Sequence, residues 1–336
     1  MRTIAVVTGA RSDYYMLRPV MRGIKAHAQL RLVPVALGMH MSPHHGGTIE
    51  EVRRDFPETH TLAYRATETP WDMARTVGLY VRDLADMFYD IRPDVVLVLG
   101  DRAEIFAAAQ AAAISGVGLA HIHGGEVSGC IDDKMRNAIT MLADWHFAAT
   151  EKACERLVRI RNPLRKGDIF LTGSPAVDAA LSVPEAPRAG GDYIVVLVHP
   201  SGEPTLLNEV SKAVKDMRAV WIGPNNDPGN KDIRLHSRRS NVPHDVFINL
   251  LRQCRCLVGN SSCAFIEGSA LGVKAVNVGH RQDGRENAGN VVHAEIDAAD
   301  IRRAMALPVT EPYIHTLYGD GHATENIVKV LAEEEL

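Results

Sequence analysis

Aromatic residues are scarce in this chain, positive charge is not in excess, and no apolar run is long. Phe, Trp and Tyr make up 5% of the residues while hydrophobic residues reach 46%. The apolar content is therefore Ala, Val, Leu and Ile, which suits buried parallel strands under helices and excludes a disordered chain. A formal net charge of −4 leaves no overall basic field. Bulk binding of nucleic acid or an acidic membrane is not expected, and any phosphate must be gripped by local arginines. No segment approaches the roughly 18 uncharged apolar residues of a membrane-spanning helix. The opening Met1-Arg2-Thr3-Ile4-Ala5-Val6-Val7 also lacks the pattern of a secretory leader. Five cysteines, an odd number without framework spacing, read as reduced thiols. The expectation is a cytoplasmic protein.

The 336 residues exceed what one ordinary core serves, so two domains with a cleft between them are expected. Short β-rich runs alternate with helical patterns, the sign of βαβ units and parallel sheets. Residues 4–8, 32–37, 95–99, 119–122 and 146–149 read as strands, with helices over 71–89, 104–113 and 133–143. A stretch rich in proline and glycine, 182–191, reads as the linker. This places a first Rossmann-like domain at 1–182 and a second at 183–336, with the last helix free to pack back on the first. Beyond the linker, strands are expected at 193–198, 219–222, 256–258 and 275–278, and helices at 246–253 and 264–271.

In an open parallel sheet the loops after the strands gather along one edge, where ligands bind. After the first strand, Thr8-Gly9-Ala10-Arg11-Ser12-Asp13 offers a tight turn and a guanidinium above a helix N-terminus. Asp13 either meets a ligand or caps that helix. Gly100-Asp101-Arg102 follows the strand at 95–99, and His121-Ile122-His123-Gly124-Gly125-Glu126 follows the next. Asp132-Asp133-Lys134-Met135-Arg136 then opens a helix. Three or four carboxylates at neighbouring strand ends would repel one another and lift at least one pKa, as a general acid requires. The His-x-His with a nearby Glu also invites a metal reading, but no complementary ligand triad follows, so neither metal nor cofactor is expected. In the second half, Val198-His199-Pro200 ends a strand. Asn260-Ser261-Ser262 enters a helix whose amides favour a pyrophosphate, and Glu267 lies one turn on, within reach of ribose hydroxyls. Arg281 and Arg285 stand in a polar loop suited to phosphate.

In this order, these segments resemble the hydrolysing UDP-N-acetylglucosamine 2-epimerases, including the epimerase half of the animal bifunctional enzyme of sialic acid synthesis. The resemblance spans nearly the whole chain, and its most specific parts are Gly100-Asp101-Arg102, Ala120–Glu126, Gly259–Cys263 and Arg281–Glu286. It implies the GT-B architecture, with nucleotide held mainly by the second domain. It also implies elimination of UDP as a base takes the proton at carbon 2, followed by addition of water to a glycal-like intermediate. By the same resemblance, Asp101, Glu126 and Asp132 or Asp133 are the acid/base set, and His199 assists at the sugar or the leaving phosphate. Arg11, Ser261, Ser262 and Arg285 would bind diphosphate and Glu267 ribose. Asp13, Arg102, Arg136, Asn260 and Arg281 fall in matching motifs and are counted with the substrate site. His40 lies in a loop resembling another active-site histidine segment, with His44 and His45 close by. A homodimer or homotetramer is implied.

Two departures bear on substrate. The family reads Arg-His where this chain has Arg136-Asn137, and Met141 stands where lysine is common. The stretch 201–231 is also short and divergent. A UDP- or GDP-linked 2,4-diacetamido-trideoxy sugar, as used for legionaminic acid, is therefore as open as UDP-N-acetylglucosamine. Three rival readings are a non-hydrolysing 2-epimerase, a GT-B glycosyltransferase and, in another class, a non-catalytic nucleotide-sugar sensor.

Overall fold

A computed structural model of the protein describes residues 1–43, 47–65, 69–129, 132–160, 168–187, 192–224, 233, 242–309 and 313–334. The chain divides into two compact units. One comprises Met1–Glu126, Ile131–Ala179 and Gly321–Leu336, the other Val127–Cys130 and Ala180–Asp320.

The first unit is built on a seven-stranded parallel sheet. Its strands are β1 (Arg2–Thr8), β2 (Leu30–Ala36), β3 (His60–Thr61), β4 (Val95–Leu99), β5 (Gly118–Ile122), β6 (Trp145–Ala148) and β7 (Ile169–Leu171), in the order β3-β2-β1-β4-β5-β6-β7. The central strand β4 reads Val-Val-Leu-Val-Leu and is buried throughout. Because side chains alternate across a strand, Val95, Leu97 and Leu99 join one core with Leu17, Met21 and Ile24, while Val96 and Val98 join another with Leu84, Ile105 and Ala108. Those partners come from helices α1 (Arg11–Ala26), α3 (Pro70–Ile91) and α4 (Ala103–Ile114), with α2 (Ile49–Asp55) lying between α1 and α3 in sequence. Helix α3 begins where local chemistry dictates: Thr69 accepts the Asp72 amide at 3.1 Å and Pro70 takes the first helical position. The unit continues through α5 (Asp132–Leu142), α6 (Glu151–Ile160) and α7 (Pro175–Leu181).

The second unit carries β8 (Ile194–Leu197), β9 (Ala219–Ile222), β10 (Cys256–Gly259), β11 (Ala275–Val278) and β12 (Val291–Ala294), parallel in the order β12-β11-β10-β8-β9. Its helices are α8 (Leu206–Val214), α9 (His244–Gln253), α10 (Glu267–Ala270) and α11 (Ala298–Ala306). The single helix expected over 264–271 is not formed. Ser262–Ala264 makes a 3-10 turn, and only Glu267–Ala270 is α-helical. The Asn290 amide donates to the Ala264 carbonyl at 2.8 Å, taking the acceptor that the Gly268 amide needs in a continuous helix.

After the second sheet the chain returns to the first unit as α12 (Ala323–Glu333). Ile327, Val328 and Leu331 pack in the same core as Leu17, Val20 and Met21 of α1. Asp178 accepts the amides of Ala323 and Thr324 at 3.2 and 2.6 Å, and Arg2 donates to the carbonyls of Leu331 and Glu334, each at 2.6 Å. Both helix ends thus have partners for their unsatisfied backbone groups, with charges that suit the helix dipole. Among the described residues, no helix is long and apolar enough to cross a membrane.

Candidate functional site

Each sheet has one place where successive connections leave in opposite directions, and the strand ends there form a natural ligand crevice. In the first unit it lies between β1 and β4, in the second between β8 and β10. The chemistry-bearing loops follow these strands.

After β1, Asp13 accepts the Gly9 amide at 2.8 Å and the Ala10 amide at 2.7 Å, so it shapes the loop as a cap. Burial, only partly offset by Arg102 and these amides, pushes its carboxyl up to about 6. Arg11 is half-buried, and its Nη1 has no hydrogen-bond partner. Burial pulls this guanidinium below its ordinary range, with Tyr15 and Glu51 opposing. Arg102 donates from Nε to Glu104 at 2.7 Å, and Glu104 fills the space beside Gly9. The buried Glu104 has no role in the sequence reading, because only the folded backbone brings it to the first loop.

His40 does not reach a ligand surface. It is fully buried, with Nε2 3.0 Å from the Thr8 hydroxyl and Nδ1 2.8 Å from that of Thr48. Burial and then Arg102 push it down to about 3, so it stays neutral. The short turn Gly38–Met41 directs it inward. Its neighbours His44 and His45 lie outside the described residues.

The acidic cluster contains a cation that the repulsion argument left out. Arg136, on the first turns of α5, is 2% exposed. It donates to the Asp101 and Asp133 carboxylates and, at 2.9 Å, to the Glu126 carbonyl. Burial works against its charge, yet Asp101, Glu126 and Asp133 outweigh burial and hold the guanidinium above its ordinary range. Asp101, Asp133 and the backbone of Glu126 are therefore drawn together by a fork of donors. Asp132 is the first residue of α5 and half-buried. Behind the cluster, the His121 ring lies 2.8 Å from the Gly100 carbonyl through Nε2, so this nitrogen carries the proton. His121 is fully buried, and burial pushes it down to about 3. It holds the Asp101 loop from behind.

In the second unit, Asn260 is fully buried and bonded at both ends of its carboxamide to the backbone of His199. This side chain was expected to meet substrate. Its burial and its two bonds instead make it the brace of the β8 end, with the His199 ring beside it half-buried. Gly259 makes the approach of β10 to β8 feasible, since a Cβ there would lie 1.9 Å from the Leu197 carbonyl oxygen. The Ser261 hydroxyl accepts the Cys263 amide at 3.4 Å, and Ser262 is half-buried. With α10 only four residues long, the helix dipole expected behind these serines is largely missing. Glu267 is 9% exposed, and burial pushes it up to about 7 against the pull of its own backbone and of Arg285. Arg281 donates to the Asn260 carbonyl at 3.1 Å, and Arg285 to Gln282 at 3.1 Å. The buried Gln282, inside the Arg281–Glu286 motif, and Tyr318, whose hydroxyl donates to the Glu286 carbonyl at 2.7 Å, fix this loop.

Two open parallel sheets, each with polar loops at its switch point, define an α/β protein of the GT-B-like class. The chain belongs to the UDP-N-acetylglucosamine 2-epimerase family, whose model matches residues 22–332. It is 29% identical to a hydrolysing UDP-N,N'-diacetylbacillosamine 2-epimerase of Legionella pneumophila, over 98% of this chain and 95% of that one. It is 30% identical to a UDP-N-acetylglucosamine 2-epimerase of Neisseria meningitidis serogroup B, over 91% and 87%. Among solved structures, the fold is similar to the Methanocaldococcus jannaschii UDP-GlcNAc 2-epimerase in complex with UDP-GlcNAc and UDP. That match has a TM-score of 0.80 at 19% identity and covers 98% of this chain and 99% of that one.

Proposed function

We propose that this protein is a hydrolysing nucleotide-sugar 2-epimerase, converting a UDP-linked 2-acetamido or 2,4-diacetamido sugar and water to free UDP and the sugar inverted at carbon 2. The observation that carries the reading is the gathering of Asp101, Asp133 and Glu126 about the buried Arg136 at the ends of β4 and β5. Carbon 2 of a sugar is not acidic. Its proton leaves only as the C1–O bond breaks and positive charge grows in the ring, a state that fixed carboxylates stabilise.

In this reading Glu126 or one of Asp101, Asp132 and Asp133 takes the carbon 2 proton while UDP departs with the C1–O electron pair. Water then adds its oxygen to C1 and a proton returns to carbon 2 on the opposite face. Arg11, Ser261, Ser262, Arg281 and Arg285 hold the diphosphate, His199 stands at the leaving phosphate and Glu267 accepts the ribose hydroxyls. The unpartnered Nη1 of Arg11 supports an anion at that loop. The hydrolysing branch is favoured by the name of the Legionella relative, which specifies both hydrolysis and a diacetamido sugar. Asn137 and Met141, one helical turn apart and both exposed, set this chain apart from the pattern expected for N-acetylglucosamine. We take the enzyme to act in the cytoplasm as a homodimer or homotetramer.

The test incubates the protein with UDP-N-acetylglucosamine and with UDP- and GDP-linked 2,4-diacetamido sugars in deuterated, 18O-labelled water. Deuterium at carbon 2 of a released sugar, with free UDP bearing no 18O, is the expected result. A nucleotide-linked product epimerised at carbon 2 would point to the non-hydrolysing reaction. Tight UDP binding without turnover would point to a sensor.

A further inference from the structure

One buried carboxylate beside the acidic cluster has no part in the reaction as written. Glu104 stands in the first turn of α4, where a carboxylate suits the helix dipole and ordinarily faces water. Here it is 5% exposed. Burying such a charge is costly unless an opposite charge meets it inside. Arg102 supplies that charge, its Nε donating to Glu104 Oε1 at 2.7 Å with both side chains largely buried. Residues two apart do not face each other along a helix. These two meet because Arg102 is the cap ahead of α4, with ψ 153°, and its extended backbone lets the side chain fold back over the first turn.

Two glycines make the place that Glu104 occupies. A Cβ on Gly9, after β1, would lie 2.6 Å from Glu104 Oε1, and one on Gly38, after β2, 2.9 Å from the same oxygen. Gly38 is also left-handed at φ +61°, and a Cβ there would meet the Gly9 carbonyl oxygen at 2.8 Å. The loops after β1, β2 and β4 therefore close on one carboxylate oxygen, the same one that holds Arg102. Glu104 need not act alone, for the charge of Arg102 also reaches the Asp13 carboxyl and the His40 ring. The bond to Glu104 sets the direction of the guanidinium: the group is rigid and flat, so with Nε aimed at Glu104 its Nη1–Nη2 edge is turned away from that carboxylate. Arg102 directly follows Asp101 of the acidic cluster, and Glu104 packs on Gly9, two residues before Arg11 and its unpartnered Nη1. A guanidinium between carboxylates that act on carbon 2 and a loop that takes an anion stands where sugar joins diphosphate.

We propose that Glu104 is a positioning residue: it presents the Arg102 guanidinium to the diphosphate of the substrate, at the oxygen that leaves carbon 1. This rests on the 2-epimerase reading and deepens it by adding Arg102 to the groups that receive the departing UDP. A loose arginine side chain loses rotamer freedom when it grips a ligand, and a bond made beforehand removes that cost.

The experiment is a double-mutant cycle read as UDP affinity by calorimetry and as kcat and KM for the donor that is turned over. The variants are Arg102→Met, Glu104→Met, the two together, and Glu104→Gln. Methionine fills the space between the glycines without an acceptor, whereas the glutamine carboxamide oxygen still accepts from Nε. Each single methionine variant is expected to weaken UDP binding at least ~10-fold and to lower kcat/KM at least as far. The double variant is expected to bind UDP within about twofold of Arg102→Met, and Glu104→Gln within about threefold of the parent. Additive losses in the double variant would assign Glu104 to packing alone and overturn the positioning role. So would parental UDP affinity in either single methionine variant, or a loss in Glu104→Gln equal to that in Glu104→Met. If Glu104→Met does not accumulate as folded protein, Glu104→Asp takes its place, since its shorter carboxylate stops short of Nε. A coupled cycle with no turnover of any donor leaves the positioning role standing and overturns the epimerase reading.

Discussion

Asn260 holds His199 by its main chain: the carboxamide nitrogen donates to the His199 carbonyl at 2.9 Å and the carboxamide oxygen accepts the His199 amide at 2.7 Å. Beyond the last paired residues of β8 and β10, a side chain thus continues the ladder that the backbone no longer makes. Pro200 limits the rotation of the same residue from the other side. The His199 ring is presented at the switch point of the second sheet by a brace that needs no contact with the ring.

Asn260→Ala should therefore act on stability and on His199 together. Leaving two partly buried backbone groups without partners costs about 2–4 kcal/mol. A fall of roughly 5–10 °C in the thermal midpoint is expected, with a raised KM for the nucleotide sugar. An unchanged midpoint would show that the brace contributes nothing.

Arg136 joins three acceptors that a lysine cannot reach at once. Arg136→Lys is expected to fold and to lose about 100-fold in kcat. Arg136→Ala, which leaves the half-buried carboxylates of Asp101 and Asp133 without their cation, should lose about 2–3 kcal/mol in a denaturant titration. Parental turnover in Arg136→Lys would remove the guanidinium fork from the mechanism.

Under the proposed function, Glu267, pushed up to about 7 by burial, ties nucleotide binding to pH. Its folded pKa lies above the ordinary 4.5. Its contribution to stability is thus whole below about pH 4.5 and lost as pH rises through 7, amounting to about 3 kcal/mol. A carboxylate that accepts two ribose hydroxyls must be ionised, so UDP binding near pH 6.5 should release a large fraction of a proton. Calorimetry in two buffers of different ionisation enthalpy reads this directly. The release should vanish in Glu267→Gln, which should also be more stable than the parent at pH 8.

Gly259→Ala should be among the most damaging changes in the second unit. The added Cβ would lie 1.9 Å from the Leu197 carbonyl oxygen, so β10 must move off β8. A loss above about 3 kcal/mol, or failure to accumulate as folded protein, is expected. Parental denaturation midpoints would mean that the strands can part without penalty.

The parts of the fold that could be read from sequence are those whose cause is local. Val95–Leu99 stands out because a strand covered on both faces is apolar at every position, and Cys256–Gly259 and Ala275–Val278 follow the same rule. Strands β3, β7 and β12 are edge strands of two to four residues, half-exposed in part, and carry no such run. Helix 264–271 looked continuous because its interruption comes from Asn290, far along the chain. At the site, the order of the strand ends placed the carboxylates Asp101, Glu126 and Asp133 near one another. It did not reveal that Arg136 is bonded to two of those carboxylates, or that His40 and Asn260 face inward. Glu104 was invisible for a similar reason: it fills the space beside Gly9 of the first loop, a place to which only tertiary structure brings it.

The return of α12 to the first unit, fastened by Asp178 at its start and Arg2 at its end, has a consequence for biosynthesis. A ribosome delivers residues 180–320 before it delivers this helix, so the second sheet can close while the first still exposes Leu17, Val20 and Met21. The earlier-made half is the later one to finish, and its apolar groove stays uncovered until Ala323–Glu333 emerges.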